Sequence, residues 1–144
     1  MNALKMNYAK APCFSDIFPL LIPYYEREWS HLSNLCDEML VIFLDFFSID
    51  TKIVRSSELP GIESKKSDLL LDICRQLGAS TYLSGKLGQA YLDVDNFMEK
   101  GVEVIFQDYH PPTYDQAYPG FEGNLSAVDF MMNAGNAESV FSGR

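Results

Sequence analysis

Apolar residues recur at helical spacing in the first third of the chain and fall into short β-branched runs further on. Leu32, Leu35, Cys36, Met39, Leu40, Phe43 and Phe47 follow a three-and-four rhythm, which predicts a helix from about Ser30 to Phe47. Before it, Ser15 and Asp16 head a helical stretch through Ile17, Phe18, Leu20, Leu21, Tyr24 and Tyr25, with Pro19 and Pro23 expected to strain or segment it. Residues 1–11 are polar and read as a tail or as the end of a preceding element. Thr51-Lys-Ile-Val-Arg-Ser reads as a first strand. Leu70, Ile73, Cys74 and Leu77 form the apolar face of a helix capped by Ser64 and closed by Gly78. Thr81 to Leu83 is a second strand, Asp95 to Lys100 a short helix, and Val102-Glu-Val-Ile-Phe-Gln the strongest strand.

Strand, helix, strand, helix, strand is the order of a parallel sheet. The expected fold is therefore α/β: a three-stranded or slightly larger parallel sheet with helices around it and two helices N-terminal to the sheet. One domain is expected to span residues 1–144. From His110 to Gly123 the chain is rich in proline, tyrosine and glycine, and reads as a long irregular loop of the kind that carries function. Ser126 and Asp129 have the spacing of a capping box opening a last helix through Val128, Met131 and Met132 to Gly135.

Composition narrows the classes. At 47% hydrophobic and 22% charged residues, the 144-residue chain is globular. Its longest apolar run, Met39 to Phe47, is broken by Asp45 and is too short for a bilayer, so no membrane insertion is expected. No signal-peptide pattern opens the chain. Cys13, Cys36 and Cys74 are widely spaced and read as free thiols of a cytoplasmic protein. A net charge of −9 argues against nucleic acid as a partner. The charge is uneven: Lys52 to Lys86 holds six basic residues against four acids, net +2, while the rest holds five against sixteen, net −11. A basic island in an acidic chain suggests a small anionic ligand.

The candidate chemistry follows from topology. A parallel sheet gathers its strand ends on one edge, where ligands bind. That edge would carry Arg55, Ser56 and Ser57, then Ser84, Gly85 and Lys86, then Gln107. Gly85 and Gly88, three apart after an apolar run, allow a tight turn whose N–H groups can hold an anion, or simply join strand to helix. Lys65 and Lys66 sit in a first helical turn, where positive charge opposes the dipole. A bound phosphate would explain them, and so would plain solvation. Tyr114 and Gln116 are loop residues able to contact a ligand or to pin the loop. His31 and His110 lack neighbours at ligand spacing, so neither a metal nor another cofactor is expected. No histidine stands near Ser56 or Ser57 in sequence, which argues against a serine hydrolase. Asn124, Ser126 and Asp129 read as caps.

Blocks along the chain resemble the WbqC-like family: Arg55-Ser-Ser-Glu-Leu, Gly61-Ile-Glu-Ser-Lys-Lys, Gly78-Ala-Ser-Thr-Tyr-Leu-Ser-Gly, Val104-Ile-Phe-Gln-Asp-Tyr-His-Pro, Tyr114-Asp-Gln and Asn124-Leu-Ser-Ala-Val-Asp-Phe-Met-Met-Asn-Ala-Gly. Their order and spacing agree with that family, although Lys86 stands where many relatives have proline. Members usually begin with a segment containing His-Gln-Pro, absent here, so the resemblance implies the C-terminal portion of the family. It further implies a place in bacterial O-antigen or other surface-polysaccharide synthesis, with transfer of glycine or a related acyl group onto a nucleotide-linked amino sugar. Arg55, Lys65, Lys66 and Lys86 would then hold phosphates, and Ser84, Gln107 and Tyr114 the sugar. The alternative is a non-catalytic binding or interaction module that keeps part of an ancestral site. In either case Val41, Ile42 and Phe46 would expose an apolar surface for a second copy or a complementary N-terminal half.

Overall fold

The computed structural model describes residues 1–135. These divide into two compact units, one formed by Met1–Thr51 with the chain from Pro111 onward, the other by Lys52–His110.

The first unit is helical. Residues 2–8 form α1 (Asn2–Tyr8), a regular element and not a tail, the first of the two readings of this segment. Ala3, Leu4, Lys5 and Met6 are good helix formers, and Leu4 and Tyr8, one turn apart, both pack on the core. Helix α2 (Phe14–Glu26) runs through Pro19 and Pro23 without a break. Each proline removes one backbone donor, but Ile17 and Leu21 are buried on the same face. Burying such a side chain is worth about 1.5–3 kcal/mol, enough to offset a lost hydrogen bond. Helix α3 (Leu32–Phe46) matches its expected span. Arg27 ties the α2–α3 connection down, pairing with both oxygens of Glu38 at 2.8 and 3.0 Å and covering the Trp29 ring at 3.9 Å. Ile42, Phe43 and Phe46 pack against the core, whereas Val41 is 50% exposed.

Helix α6 (Ala127–Ala134) is the centre of this unit. Ser126 caps it, its Oγ accepting from Val128 N at 3.2 Å, and Gly135 closes it at φ 63°. All of Asp129, Phe130, Met131, Met132 and Asn133 are buried. Met132 O accepts from Cys13 N at 3.0 Å, which docks the end of α6 on the start of α2.

The second unit carries the sheet. Helix α4 (Lys66–Gln76) leads through a left-handed Gly78 into β1 (Thr81–Ser84); a 3-10 turn over Lys86–Ala90 and α5 (Val94–Glu99) follow, and then β2 (Glu103–Phe106). The strands are parallel, Thr81 opposite Glu103 and Ser84 opposite Phe106. Two strands, not three, make up the sheet among the described residues. The run from Thr51 to Ser56 forms no strand, and its Ile53 is 51% exposed. Lys52 and Arg55 leave it only two large apolar residues, Ile53 and Val54, too little to bury along a sheet edge. Four helices therefore precede the first strand, where two were expected. The core is Leu71, Cys74, Phe97 and Val102. On α4 the buried positions are Ser67, Leu71 and Cys74; of the predicted face Cys74 is buried and Leu70 packs partly buried on the core, whereas Leu77 is exposed.

Candidate functional site

The parallel register brings part of the predicted constellation together. Gln107 N donates to Ser84 O at 2.8 Å, so the ends of β1 and β2 meet and place Ser84, Gly85, Lys86 and Gln107 on one edge. Ser84 is buried, and its hydroxyl donates to Gly85 O at 3.1 Å. Gly88 passes directly over it: a Cβ there would collide with Ser84 Oγ and meet Leu92 Cδ1. Glycine at 88 is thus required by a close approach, not by a positive φ.

Helix α4 contributes Leu71 and Cys74 to the core that Phe97 and Val102 share. Ser67 Oγ accepts from Asp93 N at 2.9 Å, and Asn96 Nδ2 donates to Asp68 Oδ1 at 3.2 Å, which joins the starts of α4 and α5. Lys65 holds the N-cap position and Lys66 the first helical residue, both exposed. Ser64 is not the cap; its hydroxyl donates to Asp72 at 2.7 Å. Lys66 has φ 56°, a left-handed conformation that side chains rarely adopt. Asp68 and Asp93 stand among the lysines, so the start of α4 is of mixed sign.

Arg55, Ser56 and Ser57 stand in the connection that precedes α4. They open a 3-10 turn over Ser56–Glu58 whose chain continues to Pro60. Pro60 O accepts from Gln76 Nε2 at 2.8 Å, and Gly61 and Ile62 border a shallow depression with Asp72, Arg75 and Gln76. Those contacts belong to the end of α4 opposite Lys65 and Lys66.

Tyr114 and Gln116 belong to the first unit, where both turn onto one carboxylate. Tyr114 Oη donates to Asp129 Oδ2 at 2.7 Å, and Gln116 Nε2 donates to the same oxygen at 3.2 Å. Asn133, one turn along α6, donates to Asp129 Oδ1 at 3.2 Å. The Tyr8 hydroxyl is pushed up to about 12, first by burial, then by its hydrogen bond to Asp129 and the charge of that carboxylate. Gln116 also pairs with the backbone of Glu122, donating to its carbonyl and accepting from its N–H, each at 2.9 Å. Around these groups opens a cleft of about 380 Å³, bordered by Tyr8, Gln116, the loop 117–122, Leu125 and Asp129.

Asp129 is the buried candidate residue that sequence reasoning took only for a cap. Its spacing from Ser126 suits a capping box, yet its side chain turns inward and only Ser126 caps. A signal was present. Helix α6 is apolar nearly all round, so Asp129 and Asn133, four apart, had no polar face to occupy and had to be buried together.

Among the described residues, no three His, Cys, Asp or Glu side chains gather so as to hold a metal ion, and no helix is long and apolar enough to cross a membrane. The sequence model of the WbqC-like protein family matches residues 1–140. The chain belongs to the WbqC-like family. Both sites fall within the matched span. A similar relative is an uncharacterized protein of Mycobacterium tuberculosis, 31% identical over 136 residues. That similarity covers 93% of this WbqC-like chain and 58% of the relative, so the chain spans little more than half of the relative's length. No solved structure matches the chain.

Proposed function

We propose that this WbqC-like chain binds a nucleotide-linked amino sugar in the cytoplasm of a bacterium, for surface-polysaccharide synthesis. In the whole protein, the reaction would be transfer of glycine or a related acyl group onto the sugar's amine. What supports the binding step is the carboxyl edge of β1 and β2, where the Ser84-Gly85 turn stands with Lys86 and Gln107, together with the two lysines that open α4. Lys65, Lys66 and Lys86 would hold the phosphates as mobile point charges, with Gln107 on the sugar side. Arg55, Ser56 and Ser57 are assigned to the nucleotide end, and their assignment is the first to fall if Arg55→Ala leaves affinity unchanged.

The deciding experiment is calorimetric titration with a nucleoside-diphosphate amino sugar, the free amino sugar and inorganic phosphate. The expected result is binding of the nucleotide sugar that weakens with salt and with Lys86→Ala. Equal heats from all three compounds, or none from the nucleotide sugar, would overturn it. The second reading is a non-catalytic binding module that keeps part of an ancestral site.

A further inference from the structure

The cleft around Asp129 lies wholly within the first unit and is independent of the β1–β2 edge. Its chemistry is one-sided. Asp129 is 5% exposed, and it is held by neutral donors: the hydroxyls of Tyr8 and Tyr114 and the side-chain amides of Gln116 and Asn133. Among the described residues, no Lys, Arg or His pairs with it. Hydrogen bonds satisfy its oxygens but bring no opposite charge, and a buried carboxylate without a cation is costly. Glu122 adds a second carboxylate to the border, and among the described residues no basic one borders the cleft. Tyr8, Tyr118 and Phe121 also border it.

Each alternative ligand class meets an obstacle. A phosphate or carboxylate ligand would meet two acids and no cation. A purely apolar ligand would leave Asp129 and Gln116 facing it without gain. A protonated amine meets both features at once, because carboxylates and ring faces each attract a cation. At about 380 Å³ the space is at the small end of ligand clefts, suited to one sugar ring or one amino acid.

We propose that this cleft is a binding site for a compact ligand bearing a protonated primary amine, with Asp129 and Glu122 supplying the charge and Tyr8, Tyr118 and Phe121 the ring faces. Binding needs no help from the β1–β2 edge and should survive variants there. The site would discriminate by charge at one position of the ligand, not by overall shape.

The test is titration of the full chain with glucosamine, glucose and N-acetylglucosamine, read by calorimetry. Glucosamine alone carries a charged amine. It should bind about ten-fold or more tightly than either neutral sugar. Asp129→Asn removes the charge but can also loosen the loop, so Glu122→Gln and Tyr118→Ala at exposed border positions serve as second variants, with folding checked by circular dichroism. Both should weaken glucosamine several-fold, and Lys100→Ala, an exposed residue of neither site, should not. Equal affinity for glucosamine and glucose, absence of binding by the folded chain, or indifference to both border variants would each overturn the assignment. Loss of nucleotide-sugar binding at the other edge would leave it standing.

Discussion

Tyr114 and Asp129, fifteen residues apart in the chain, meet in a hydrogen bond of 2.7 Å from phenol to carboxylate. Tyr114 is also packed edge-on against Phe130, ring centroids 5.1 Å apart, so the bond is made from a fixed ring. It fastens a loop with no regular structure to the central helix of its unit. Hydrogen bonds to a charged acceptor contribute about 1.5–3 kcal/mol each. Tyr114→Phe should therefore lower unfolding stability in urea by roughly that amount, and Asp129→Ala by more, since it orphans Gln116 and Asn133 as well. A loss under about half a kcal/mol in Tyr114→Phe would mean that the loop is held by ring packing instead.

Gly88→Ala puts a methyl group into the Ser84 hydroxyl. Overpacking of this kind typically costs about 1–3 kcal/mol. Ser84→Gly, harmless to the strand register, should recover most of the loss in the double variant, and chemical denaturation of all three proteins would measure the coupling. Purely additive losses would place the cause elsewhere.

Lys66 holds a left-handed φ at the start of α4, a conformation that costs a non-glycine residue about 1 kcal/mol. Lys66→Gly should raise the melting temperature of the ligand-free chain and at the same time weaken nucleotide-sugar binding. Opposite movement of the two quantities is what a residue kept for its charge would show. If stability rises and affinity is untouched, Lys66 is an ordinary solvated lysine.

Tyr8 supplies a pH dependence. Its hydroxyl holds its proton up to about 12 in the folded chain, against an ordinary value of 10. A raised folded value means that the native state binds the proton more tightly, so this contribution is complete below pH 10 and is lost as pH rises through 12. Denaturation midpoints should fall across that window in the wild type and fall less in Tyr8→Phe. Identical pH profiles for the two would contradict the contact with Asp129.

The helices with strong apolar rhythm and clear ends were legible in the sequence. Ser126 and Gly135 bracket α6, and Leu32 to Phe46 lie on α3, as their spacing implies. The β1–β2 pair was legible too, because short β-branched runs on either side of a helix favour parallel pairing. What failed depended on partners far away in sequence. Thr51 to Arg55 has strand-like residues but no neighbouring edge, and α1 looks polar until Leu4 and Tyr8 find a core. The same holds for the sites. Lys86 and Gln107 could be placed from topology, whereas the fate of Asp129 was decided by Tyr114 and Gln116, in a loop without periodicity.

The Gln116 side chain gives the backbone of Glu122 one donor and one acceptor, as a neighbouring strand would. Residues 117–121 are thereby closed into a small ring whose hinge points belong to other residues. Their identities, and even their number, are free to drift between relatives while the two bonds keep the frame. Ligand preference in the cleft can thus diversify at Tyr118 and Phe121 without any renegotiation of the fold, which makes this ring the place where family members should differ most in what they bind.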